Sequence, residues 1–120
     1  MIDISARRRI FGVLLAAGLA LAGPASAASF DCAVAHHPDE AAVCASRALS
    51  EQDVRMDTLY GVLTRLVGMG ARGDLVDAQR AFLARRSACA ANAACLSAAY
   101  DARIAALEAA LAQIYARGPF

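Results

Sequence analysis

The sequence predicts an all-α protein: a small antiparallel three-to-four-helix bundle stapled by two disulfides. Three observations carry that prediction. Apolar residues recur at spacings of three and four along three long segments, and no segment alternates with the period of two that marks a strand. Gly, Pro, Ser and Asn punctuate the chain between those segments, where helices start and stop. Four cysteines fall near the connections of a chain of 120 residues, a size at which a core alone is marginal and staples help.

The chain opens on a segment of a different kind. Arg7, Arg8 and Arg9 form a basic head, Ile10 to Gly23 is uncharged and rich in Leu, Val, Ala and Gly, and Pro24 precedes the small triplet Ala25-Ser26-Ala27. Basic head, apolar run and small residues in that order are the features of a signal peptide. Residues 1–27 are therefore expected to be a signal peptide cleaved after Ala27, and residues 28–120 a helical domain. The apolar run falls short of the roughly 20 residues a spanning helix needs, so no stable membrane insertion is expected after cleavage. The arginines followed by Ile10 and Phe11 also look like a twin-arginine signal, although the usual Ser or Thr ahead of the pair is absent. Both general secretory and twin-arginine export end outside the inner membrane. The expected location is the periplasm or the medium of a bacterium.

Charge changes once that leader is set aside. The whole chain carries +1, but without Asp3 and the three leading arginines it holds nine Arg against ten acidic residues. Every basic residue is Arg, and there is no Lys. No basic run for nucleic acid and no acidic block remains.

All four cysteines, Cys32, Cys44, Cys89 and Cys95, follow the expected cleavage site. In an oxidising compartment an even count reads as two disulfides. The spacings differ from the tight C-x₂₋₄-C pairs of structural zinc sites. Cys32 is expected to pair with Cys44 and Cys89 with Cys95, since each pair is local and bounds one turn. Each bond closes a loop of a length for which chain entropy gives roughly 3 kcal/mol.

The elements follow in order. Ala28 to His37 reads as an extended lead-in. Pro38 suits the first turn of a helix, Asp39 and Glu40 suit its positive N-terminal end, and Ala41 to Ser46 complete a short helix carrying Cys44. Ser50, with Asp53 three residues on, reads as the capping box of a second helix. Its apolar face is Met56, Leu59, Tyr60, Leu63, Leu66 and Val67, and Gly68, Gly70 and Gly73 end it in a flexible turn. Asp74 is placed to cap a third helix, along one side of which lie Leu75, Gln79, Phe82, Arg86 and Cys89. Asn92 is placed to cap a fourth, striped by Leu96, Tyr100, Ile104, Leu107, Leu111 and Ile114 and closed by Gly118 and Pro119. The three long helices are expected to pack antiparallel, with the short first helix tied across one end.

The run Ser29-Phe30-Asp31-Cys32, then Glu40 and Cys44, then Leu49, Asp53 and Tyr60, resembles the opening of secreted LprI-type proteins. The third helix continues the likeness with Gln79-Arg80-Ala81-Phe82-Leu83 and Arg86-Ser87-Ala88-Cys89, and the fourth with Cys95-Leu96, Tyr100 and Arg103. It runs from about Ser29 to Leu107. The resemblance implies the fold, the exported location and a lysozyme-inhibiting role, after the mycobacterial member that gave the family its name. Three positions depart from the family pattern: Phe82 stands for Trp, Ser87 for Asp beside Arg86, and Gln52 for Leu.

Catalysis finds little support in the residues. A nucleophile needs a base beside it and an oriented third group; the cysteines are committed to disulfides, and His36 and His37 sit in the lead-in with no Ser or Cys motif nearby. His36, His37, Asp39 and Glu40 are the one set to consider for a metal, and they read more simply as a solvated loop and helix start. We expect no cofactor, no metal site and no catalytic residue. Asp53, Tyr60, Gln79, Phe82, Arg86, Tyr100 and Arg103 form the candidate site: either a structural polar network that fixes helix register or a cluster presented to a partner. The expected partner is a lysozyme-type muramidase. A non-catalytic interaction or stress protein binding another envelope protein is the alternative. Lysozyme is strongly basic, so an inhibitor should offer acidic groups; the candidates are Glu51, Asp57, Asp74, Asp77, Asp101 and Glu108, which are scattered along the helices.

Overall fold

The computed structural model describes residues 27–118. The expected leader, apart from Ala27, and the closing Pro119 lie outside the described residues. Within them a 3-10 turn at Cys32–Val34 leads into four helices: α1 (Pro38–Ala45), α2 (Arg47–Leu66), α3 (Met69–Ala88) and α4 (Ala93–Ala116). No strand occurs among the described residues.

Pro38 takes the first position of α1, where its missing N–H costs nothing. Asp39 does not simply face solvent at the helix start. It is buried, on the same inward face as Val43 one turn later.

The second helix begins earlier than the expected Ser50. Ser46 is the cap, its hydroxyl accepting from the Leu49 N–H at 3.3 Å. Ser50 lies inside the helix, buried, and its hydroxyl donates to the Val43 carbonyl at 2.7 Å. A carbonyl near the end of α1 thus gains a side-chain donor, and α1 is tied to α2. Asp53 is likewise no cap, because its carboxylate is taken by partners on other segments.

The glycine-rich stretch is also shorter as a turn than expected. Gly68 caps α3, which starts at Met69, so Gly70 and Gly73 fall inside its first two turns, ahead of the expected cap Asp74. The Arg72 N–H donates to the Gly68 carbonyl at 2.9 Å, and the Arg72 guanidinium donates to the Val67 carbonyl at 3.3 Å. Asn92 caps α4 as its position predicts, accepting from the Cys95 N–H at 3.0 Å. At the other end Gly118 takes a φ of +102°, a left-handed closing residue that glycine adopts without strain.

Contacts set the directions of the helices. Gln52 meets Ser97 and Asp101, and Arg55 meets Glu108, so α2 and α4 advance together. Arg86 meets Tyr100 while Gln79 meets Arg103, so α3 runs the opposite way. The three long helices form an up-down-up bundle. Its seam repeats every three and four residues: Leu49, Asp53, Met56, Tyr60 and Leu63 on α2; Leu75, Gln79, Phe82 and Arg86 on α3; Leu96, Tyr100, Arg103 and Leu107 on α4. Leu66, placed on the α2 face from its spacing, is instead 57% exposed.

Both disulfides are as expected. Cys32–Cys44 fastens the lead-in to α1, and Cys89–Cys95 bridges the α3–α4 turn, with Cα atoms 5.8 and 5.5 Å apart.

Candidate functional site

The middle of this seam is polar. The lead-in and all four helices each supply a group to one layer, built around Asp53, which is fully buried. Asp53 Oδ1 accepts from the Tyr100 hydroxyl at 2.9 Å, and Oδ2 accepts from the Ser29 N–H at 2.7 Å. Arg86, 7% exposed, donates from Nε to Asp39 Oδ2 at 2.8 Å and from Nη1 to the Tyr100 hydroxyl at 3.4 Å. Glu40 and Asp53 each bring a carboxylate oxygen to 3.8 Å from the guanidinium. The Phe30 ring lies 5.4 Å from the guanidinium carbon, a cation–π distance. Phe82 packs edge-on against Tyr100 at 5.2 Å between ring centres.

The electrostatics follow from that geometry. Burial, reinforced by the Asp53 carboxylate, holds the Tyr100 phenol well above its ordinary pKa. Burial opposes the charge on Arg86, but the hydrogen bonds to Tyr100 and Asp39 and the charge of the Asp39 carboxylate outweigh it and raise its pKa. The Tyr100 hydroxyl, between the Arg86 guanidinium and the Asp53 carboxylate, therefore keeps its proton, and Arg86 its charge.

A second layer lies one turn along. Arg103 donates from Nε to Gln79 Oε1 at 3.0 Å and from Nη2 to the Leu75 carbonyl at 3.3 Å. Gln79 in turn donates to Met56 Sδ at 3.2 Å, and the Tyr60 ring sits 6.0 Å from the guanidinium carbon. Among the described residues no carboxylate pairs with Arg103, and burial lowers its pKa. At the rim, Gln52 donates to Asp101 at 2.7 Å and to the Ser97 hydroxyl at 3.2 Å, clasping α2 to α4.

The structure thus divides the seven candidate residues between two adjacent layers: Asp53, Phe82, Arg86 and Tyr100 in the first, Tyr60, Gln79 and Arg103 in the second. Sequence reasoning missed Asp39, Ser29, Phe30 and Ser50. Asp39 was masked by its fitness for a helix start; its one signal is the four-residue spacing to Val43. Ser87, which replaces the acid expected beside Arg86, is exposed, and the carboxylates that hold Arg86 come from α1 and α2 instead.

No buried side-chain nitrogen or oxygen among the described residues lacks a hydrogen-bond partner. Such a saturated interior can lock register but offers no free group to a substrate. His36 and His37 are exposed, and among the described residues no three His, Cys, Asp or Glu side chains are grouped to hold a metal.

The family model described as Lysozyme inhibitor LprI matches residues 32–107. The chain belongs to the LprI family. No curated protein and no solved structure matches it. The match begins at Cys32 and ends at Leu107, so it takes in both disulfides of this LprI chain and every side chain of the two polar layers except Phe30.

Proposed function

We propose that this protein is an exported inhibitor of lysozyme-type muramidases that acts by binding and carries out no reaction. The observation that carries the reading is the LprI family match over residues 32–107, which takes in both disulfides, α1 to α3 and the larger part of α4. Two disulfides suit a protein that works in an oxidising compartment, where muramidases act. The saturated, solvent-excluded layers favour binding by a rigid outer surface over chemistry at the interior polar residues.

The helices differ in what they offer a basic enzyme. The exposed charges of α3 are Arg72, Asp74, Asp77, Arg80 and Arg85, and those of α2 are Arg47, Glu51, Arg55, Asp57 and Arg65, so each face carries an excess of one positive charge. The exposed charges of α4 are Asp101 and Glu108, both acidic, and each also holds α2, Asp101 through Gln52 and Glu108 through Arg55. Exposed Ala98, Ala102, Ala105, Ala109 and Ala112 leave the same helix low in relief. We assign the enzyme-facing surface to α4 on that charge balance.

The test is a titration of the purified, oxidised protein against lysozyme digesting peptidoglycan, with a reduced sample alongside. Saturable inhibition at a fixed molar ratio, lost on reduction, is the expected result. A folded protein without effect at large molar excess would reject inhibition of that lysozyme and favour an interaction with another envelope protein.

A further inference from the structure

The charge around Arg86 does not balance within the side chains. One guanidinium faces two buried carboxylates, Asp39 and Asp53, and a third, Glu40, at the half-buried edge, while Arg103 in the next layer donates to the neutral Gln79 and Leu75 carbonyl oxygens. An excess anion in a solvent-poor layer calls for a further cation nearby.

The lead-in delivers one. The Ser29 N–H donates to Asp53 Oδ2 at 2.7 Å, Phe30 packs on Arg86, and Ala28 is half-buried against the core, whereas Ala27 is exposed. Consecutive residues advance by at most about 3.6 Å, so the nitrogen of Ala28 lies on the order of 6 Å from the Asp53 carboxylate. In the uncleaved chain that nitrogen is a neutral amide. After cleavage following Ala27 it is an α-ammonium.

We propose that the α-ammonium of Ala28, freed when the leader is removed, is the missing cation of the buried carboxylate layer, so that the domain reaches full stability only after processing. The inference rests on the leader reading. It gives the Ser-Phe-Asp-Cys run a role: Ser29 and Phe30 dock the new terminus against Asp53 and Arg86, and the Cys32–Cys44 bond holds it there. The charged and titratable groups of the layer against which Ser29 and Phe30 dock are Asp53 from α2, Asp39 and Glu40 from α1, Arg86 from α3 and Tyr100 from α4, with Asp31 next along the lead-in. The carboxylates raise the affinity of the amine for its proton. The added stability is therefore complete below the ordinary amine range of about 7.7 to 8.0 and is lost as pH rises through the higher folded value.

The absence of Lys makes the test clean, because the α-amine is the one amine in the protein. The full chain is expressed in a bacterial host, and the exported protein is purified and its N-terminus sequenced. One portion is acetylated, which removes the charge; another is reductively dimethylated, which keeps it. At pH 6.5 acetylation is expected to lower Tm by about 4 °C or more and dimethylation by under about 1 °C, the gap closing above about pH 10. In Asp53→Asn, and in Glu40→Gln at the half-buried edge, the acetylation effect is expected to shrink. Equal melting of the two modified forms, or an undiminished gap in both variants, would overturn the proposal while leaving the leader reading intact. A mature terminus other than Ala28 would overturn both.

Discussion

Arg86 of α3 and Asp39 of α1 meet through a 2.8 Å hydrogen bond between side chains that are 9% and 3% exposed, 47 residues apart in the chain. It joins the start of the short first helix to the bundle, while the Cys32–Cys44 bond holds the far end of that helix to the lead-in. A buried pair of this kind offsets its own desolvation, so its intact form adds little while its half-broken form is costly.

Loss of one partner should therefore weigh more than loss of both. Arg86→Met, which strands the buried Asp39 and Asp53 carboxylates, is expected to lower the unfolding free energy by about 3 to 5 kcal/mol, and Asp39→Ala, which leaves Arg86 beside Glu40 and Asp53, by clearly less. The double variant should lose clearly less than the two single losses together, by a coupling of about 1 to 3 kcal/mol. Arg103→Met is the contrast. Among the described residues Arg103 has only neutral partners, so removing its charge should cost less than about 1 kcal/mol or stabilise the fold. Urea unfolding of the four variants decides the matter, and equal losses for Arg86→Met and Arg103→Met would refute the distinction between the layers.

Tyr100 should set the alkaline limit of stability. Its folded pKa lies above the ordinary value of 10.0, so the folded state keeps a proton that the unfolded chain gives up. Its contribution is then fully present below pH 10 and falls as pH rises towards the folded value. Tyr60 and Tyr115 are the other two tyrosines. In a Tyr60→Phe, Tyr115→Phe background, tyrosinate absorbance should appear only together with loss of helical circular dichroism. Ionisation ahead of unfolding would show that Tyr100 is less securely held than its hydrogen bonds imply.

Gly70 and Gly73 lie inside α3, both exposed, and a Cβ at either position meets no heavy atom within 4 Å. Glycine in a helix interior costs about 0.5 to 1 kcal/mol relative to alanine through backbone entropy. Gly70→Ala and Gly73→Ala are each expected to raise stability by that amount, visible as a higher urea midpoint at unchanged slope. A loss at both sites would mean that the start of α3 frays in solution.

The same glycines mark where local reasoning stops. They read as a turn because helix propensity is weak there, yet the chain continues as helix once Leu75 and Gln79 are anchored against α4. The stripe from Leu75 to Cys89 and the stripe on α4 were legible because their spacing of three and four is a direct image of burial. Asn92 was legible as a cap because nothing inside the bundle competes for its side chain. Ser50 and Asp53 were misread together. Their spacing matches a capping box, but the Val43 carbonyl, Tyr100 and Ser29 claim them, and those partners become neighbours only through the fold. Likewise the acid for Arg86 was sought next to it, at Ser87, when it comes from Asp39 on another helix.

The assignment of α4 as the enzyme-facing surface makes a prediction that separates it from the other helices. Asp101→Asn with Glu108→Gln removes both exposed acids of α4, whereas Asp74→Asn with Asp77→Asn removes two acids from α3 and leaves its arginines. Neither change touches the buried layers, and although the α4 pair also releases the contacts of Asp101 with Gln52 and of Glu108 with Arg55, exposed pairs of this kind contribute about 1 kcal/mol or less each, so both variants stay folded. Rim charges act mainly on association rate and salt dependence. The α4 pair should slow association with lysozyme by about tenfold at low salt, with the difference fading above about 0.3 M where screening is short-ranged. The α3 pair should leave the rate unchanged or raise it slightly. Association rates measured across a salt series discriminate the two, and a slower rate from the α3 pair alone would move the contact to the other side of the bundle.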